Sequence, residues 1–174
     1  TADRIRSYFQ PRAAETHKGK TGHLLVVAGS TGKTGAAAMT AVSAMRAGAG
    51  LVTLGTAESL NPMVASQVLE VMTTPLPQSQ TGILGDGAID EIMALTTGKT
   101  CLAIGPGIGQ AMETRSLVAK IIPQIEIPMV IDADGLNNVT GRTPLLKKLK
   151  APAVLTPHPG EMARLIDRTP AAVQ

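Results

Sequence analysis

Apolar residues along the chain fall in short continuous runs, each closed by Gly, Pro or Asp. HLLVVAG (23–29), LVTLG (51–55), CLAIGPG (101–107), PMVIDADG (128–135) and APAVLTPH (151–158) are rich in Val, Ile and Leu and predict buried strands. Between them the spacing changes. Residues 34–49 are apolar or small all round, which suits a helix packed tightly on a sheet and ended by Gly48 and Gly50. Residues 85–96 set Ile89, Ile92, Met93 and Leu95 mostly on one side, and 113–122 do the same with Leu117, Val118, Ile121 and Ile122. Shorter helices are predicted over 144–150 and 159–166. The stretch TTPLPQSQTG (73–82) reads as a polar loop, and residues 1–20 as a leading arm with little periodicity.

Strands alternating with helices imply a mainly parallel sheet covered on both faces, an α/β fold of three layers. Ligands in such sheets sit beyond the carboxyl ends of the strands. That rule selects Gly29-Ser30, Gly105-Pro106-Gly107, Asp132-Ala133-Asp134 and Thr156-Pro157-His158. Glycine and polar residues thus converge on one edge, which is the layout of a site.

Composition narrows the choice. The 174 residues suffice for one domain with a core, and 44% hydrophobic against 17% charged residues is ordinary for a globular protein. One Tyr, one Phe and no Trp exclude aromatic stacking on single-stranded nucleic acid. A net charge of +3 is too small to imply nucleic acid or membrane. The basic cluster Lys147-Lys148-Leu149-Lys150 reads as a helix-end cap. A lone Cys101 in an apolar run reads as a buried thiol, and with no disulfide possible the expected compartment is reducing and cytoplasmic. No membrane-length apolar run or signal peptide is visible.

Four motifs carry the candidate chemistry. VVAGSTGKTGAAA (26–38) looks like a P-loop, but the pattern needs glycine where Val27 stands. It still leads into a helix N-terminus, which favours an anion. GPGIG (105–109) fails the dinucleotide fingerprint because Gln110 stands where glycine is needed, yet its glycines allow close backbone approach. In DADG (132–135), two carboxylates at a strand end could hold Mg²⁺ through water or orient a hydroxyl; alternatively Asp134 caps the next helix and Asp132 bonds a neighbouring loop. TPHPGE (156–161) fixes His158 between two prolines and puts Glu161 in a helix first turn, which points to ligand contact.

These segments in this order and spacing resemble the ATP- or ADP-dependent NAD(P)H-hydrate dehydratases, ribokinase-like proteins often fused behind an NAD(P)H-hydrate epimerase domain. The resemblance runs from about Tyr8 to Ile166. It implies repair of hydrated NADH or NADPH by phosphorylation of the ring hydroxyl and elimination of phosphate, with ADP or ATP as co-substrate and Mg²⁺ as cofactor. It implies dinucleotide contacts at Gly35, Ala36, Ala37, Gly107, Gly109, Asp132 and His158 and a metal-organising role for Glu161; Lys33 departs from it, since relatives often carry Met there, and either adds a cofactor phosphate contact or points to solvent. The family's catalytic aspartate lies in a GSGD segment well after HPGE. It is expected beyond Gln174, so no catalytic residue is assigned, and residues 21–174 are expected to be the N-terminal and central part of a longer domain, inactive alone. A homo-oligomer is expected from the Ala- and Gly-rich helices. The alternatives are a ribokinase-like small-molecule kinase and a non-catalytic dinucleotide-binding fragment.

Overall fold

The computed structural model describes residues 15–173, together with Arg6 and Ala13. Most of the expected leading arm therefore lies outside the described residues, and its last part forms a 3₁₀ turn, Lys18–Thr21. Six parallel strands form one sheet: β1 His23–Val27, β2 Leu51–Ala57, β3 Met72–Leu76, β4 Cys101–Ile104, β5 Met129–Ile131 and β6 Ala153–Leu155. Their spatial order is β3-β2-β1-β4-β5-β6. The chain steps outward from β1 in one direction and then restarts beside β1 in the other. The crevice between the ends of β1 and β4 is thus the switch point of the topology.

The helices are α1 Thr34–Ala47, α2 Asn61–Ala65, α3 Ile89–Leu95, α4 Met112–Ile121, α5 Asp134–Val139 and α6 Pro159–Leu165. Because side chains alternate along a strand, β1 feeds two cores. Leu25 and Val27 join Ile92, Leu117, Val118, Ile121, Leu136 and Val139 on the face under α3, α4 and α5. Val26 and Ala28 join Ala37, Ala41 and Val64 on the face under α1 and α2. The three-layer α/β/α expectation holds. Small alanines on α1 let that helix lie close to the sheet, and Gly48 ends it with φ 107°, its N–H turned back to Ala44 and Met45.

Three expectations are corrected. The polar loop at 73–82 contains most of β3, a strand at the sheet edge, where Pro75 is tolerated because one side needs no hydrogen bonds. In place of the helix expected over 144–150 there is a 3₁₀ segment, Thr143–Lys148, with Pro144 in its first turn and Lys147 and Lys148 in its last. The run 151–158 supplies a short edge strand that is not buried, with Val154 60% exposed.

Candidate functional site

All six strands point the same way, so the segments that follow β1, β4, β5 and β6 meet at one edge. Backbone bonds join them. Gly29 N–H donates to Pro106 O at 2.9 Å, Gly105 N–H to Val27 O at 3.1 Å, Asp132 N–H to Ile104 O at 3.1 Å and Thr156 N–H to Ile131 O at 3.4 Å. His158 follows β6, three strand spacings from β1, or about 14 Å across the sheet.

The turn Gly105–Gly109 is built by close approach. Gly107 (φ +64°) lies against the start of α1, where an added Cβ would come within 3.0 Å of Ala36 Cβ and Lys33 O. Its carbonyl accepts Ser30 Oγ at 2.7 Å. Gly109 has both backbone groups occupied: its N–H donates to Asp134 Oδ2 at 3.1 Å and its carbonyl accepts Asn138 Nδ2 at 2.9 Å. Gly109 can therefore offer a ligand nearness, while its hydrogen bonds are spent inside the protein. Beside this turn lies a hollow of about 350 Å³ walled by Ser30, Thr31, Gly109, Gln110 and the loop 81–83. It sits at the switch point. A second hollow of about 440 Å³, at Pro77–Ser79 and Gly85–Gly87, has mainly apolar walls and lacks the glycine turn.

Asp134 ties these pieces together. Its carboxylate accepts Lys33 Nζ at 2.8 Å, Gly109 N–H at 3.1 Å, Gln110 Nε2 at 2.7 Å and Asn137 Nδ2 at 3.3 Å. Burial pushes its pKa up, but the bonds from Lys33, Gln110, Asn137 and Gly109 outweigh burial and leave it below the ordinary value. Asp134 is the first residue of α5, and its side chain does not cap that helix. Asp132 accepts Thr156 Oγ1 at 2.6 Å and so fastens the β6 loop, as the loop-bonding alternative expected.

The remaining expected residues are distributed as follows. Ala36 faces Gly107, whereas Ala37 is fully buried in the core and packs beside Gly29. Gly35 opens onto a shallow groove with Ala38, Met39 and Gln67, away from the switch-point hollow. His158 is an exposed side chain that caps α6. Its Nδ1 accepts Gly160 N–H at 3.0 Å and Glu161 N–H at 3.3 Å, while Glu161 Oε2 accepts His158 N–H at 3.0 Å. This reciprocal capping box was hidden in the sequence because histidine is not a usual cap residue. His23 and Cys101 begin β1 and β4, at the far edge from the site. Burial raises the Cys101 thiol pKa, which disfavours a nucleophilic thiolate. Thr31, Gln110 and Asn138 went unselected in the sequence, whereas the strand-end rule did select Ser30.

Glu161 offers little to a metal by itself. It is buried, it is committed to the capping box, and no group of three His, Cys, Asp or Glu among the described residues could hold an ion. Among the described residues, too, no helix is long and apolar enough to cross a membrane.

A parallel sheet of this order, with a hollow beside a glycine turn at its switch point, defines a three-layer α/β protein. The chain belongs to the NAD(P)H-hydrate dehydratase family, whose model matches residues 24–173. It is 41% identical over 174 residues to the bifunctional NAD(P)H-hydrate repair enzyme Nnr of Moorella thermoacetica, covering 100% of this chain and 33% of that protein. It is 36% identical over 177 residues to the ADP-dependent (S)-NAD(P)H-hydrate dehydratase of Xanthomonas campestris, covering 100% and 58%. The ADP/ATP-dependent NAD(P)H-hydrate dehydratase of Bacillus subtilis, co-crystallised with ATP/Mg²⁺, matches with TM-score 0.72 and 28% identity over 96% of this chain and 55% of that one. A ribokinase-like superfamily protein from Enterococcus faecalis shares the fold at TM-score 0.77 and 20% identity. The chain spans from a third to somewhat over half of these proteins.

Proposed function

We propose that this chain supplies the dinucleotide-binding face of an NAD(P)H-hydrate dehydratase. The observation that carries the reading is the glycine turn 105–109, closed against the start of α1 and facing the switch-point hollow, in a chain of this family. The start of α1 favours the pyrophosphate where Ala36 faces Gly107, while Gly35 and the buried Ala37 shape that first turn. Gly107 and Gly109 let the ligand approach closely. Lys33, half-exposed beside them, adds a positive charge. Asp132 and His158 extend the same edge towards β6, within the length of an extended dinucleotide.

In the whole protein, ADP or ATP donates a phosphoryl group to the ring hydroxyl. The hydroxyl oxygen bonds phosphorus as the bond to the leaving nucleotide breaks, and the hydroxyl proton passes to a base. The ring nitrogen lone pair then expels phosphate as the carbon–oxygen bond breaks, and the neighbouring ring carbon loses a proton. A dehydratase of this kind releases inorganic phosphate, whereas a kinase leaves a stable ester. No step is assigned here to Glu161 or to a metal. The name of the bifunctional relative supports a second activity in a protein of that length, and we assign hydrate epimerisation to such a region.

Calorimetric titration of the chain with hydrated NADH tests the reading. Saturable binding is expected, with no release of phosphate when ADP or ATP and Mg²⁺ are added to these 174 residues alone. Thr31→Trp, at an exposed position of the hollow's rim, is expected to block binding and leave the melting temperature unchanged. His158→Asn keeps a cap acceptor and removes the imidazole, and is expected to weaken binding about tenfold, or 1.4 kcal/mol. Equal binding by all three proteins would place the ligand elsewhere.

A further inference from the structure

The Asp134 carboxylate is unusual in what it holds. Its side chain is 10% exposed, and its four donors come from three segments: the β1–α1 turn, the β4–α4 loop and its own helix. Stability alone is a poor reason for such a group, because well-packed apolar residues often replace a buried ion pair without loss. What distinguishes it is the identity of the donors. Gly109 and Gln110 wall the switch-point hollow, and Lys33, just before α1, lies against Gly107 of the same turn. By drawing the Gly109 N–H and the Gln110 amide backwards, the carboxylate decides which groups of the turn face a ligand. It also holds the Lys33 ammonium beside Gly107, so that an anionic ligand meets a paired carboxylate rather than a bare one.

We propose that Asp134 is the positioning residue of the dinucleotide face, fixing the Gly105–Gly109 turn and Lys33 in one arrangement through Lys33, Gly109, Gln110 and Asn137. The inference rests on the binding role proposed above. Asp134 need not touch the dinucleotide. It acts on groups that do, and it is the group a ligand-free molecule uses to keep them preorganised.

Asp134→Asn keeps the shape and removes the charge. Its affinity for NADH, used as the calorimetric probe well below the melting temperature, is expected to fall about tenfold or more, the scale on which outer-shell partners of bound groups act. Amide hydrogen exchange at Gly109 is expected to quicken, while core amides such as Leu54 keep their protection. Lys33→Met, on a half-exposed side chain, is the second variant, expected to weaken binding by a smaller factor while the turn stays protected. If Asp134 serves only the fold, the melting temperature falls and the affinity does not, which overturns the proposal. Unchanged exchange at Gly109 in Asp134→Asn overturns it as well. Should Asp134→Asn fail to fold, an unaltered affinity in Lys33→Met has the same consequence. Absence of NADH binding by the unsubstituted chain overturns the dinucleotide reading itself and this role with it.

Discussion

Two side chains at opposite ends of the strands contribute pH dependence to the fold, beside the exposed ion-paired carboxylates Asp86 and Glu126. His23 Nε2 lies 2.8 Å from Thr53 Oγ1, and burial together with nearby Lys99 lowers its pKa below 6.5. The unfolded chain therefore protonates first as pH falls, so stability drops below about pH 6.5 and is regained above it. Asp134 has a lowered pKa as well, but for a carboxylate the charged form is the one the fold favours. Its contribution is complete above pH 3.8 and is lost as pH falls below that value. Thermal melts should show two separate losses on acidification. His23→Gln, which can still bond Thr53, should remove the first and leave the second; a first loss that survives this change belongs to another group. His23 and Asp134 also mark what the sequence could and could not tell. Residue types and strand ends announced the edge, but the partners of Asp134 stand up to 101 residues away. Nothing local distinguished its carboxylate from that of Asp132.

At the scale of elements, the ends of β4 and β5 form a tight joint. A Cβ on Gly105 (φ +124°) would lie 2.0 Å from Asp132 O and 2.5 Å from Gly135 N, both backbone atoms that cannot swing aside. Across the joint Ala133 takes φ 49° and ψ −120°, a conformation that L residues avoid. Gly105→Ala should cost about 3 kcal/mol or more in urea unfolding, from overpacking and strain together. Ala133→Gly should do the reverse of an ordinary alanine-to-glycine change and stabilise by about 1 kcal/mol, because relief of strain exceeds the added entropy of the unfolded chain. A destabilised Ala133→Gly protein would show that the joint carries no strain. The pattern of apolar runs foretold that β4 and β5 end here. It missed β3 because MTTPL contains a proline and no continuous apolar run. It misjudged β6 because a central strand and an edge strand share the same Val- and Leu-rich composition, and only pairing on the far side separates them.

For the whole molecule the decisive surface is that last strand. Among the described residues β6 is paired with β5 on one side only, and no strand lies beside its outer backbone edge. Around it Val154 is 60% exposed, Leu155 37%, Met162 37% and Ile166 47%. An exposed apolar edge strand is a template for pairing with more chain, and proteins that leave one open tend to associate through it. The relatives are considerably longer than this chain. Val154→Lys puts a charge on the β6 edge at a position with little packing to lose, so the melting temperature should hold while concentration-dependent association in sedimentation velocity falls. Met39 on α1, 67% exposed, provides the contrast. It lies on the Ala-rich helix through which a homo-oligomer was expected to pack. Dispersal by Met39→Glu with no effect of Val154→Lys would move the association from the sheet edge to the helical face. Dispersal by Val154→Lys alone identifies β6 as the edge that calls for another strand.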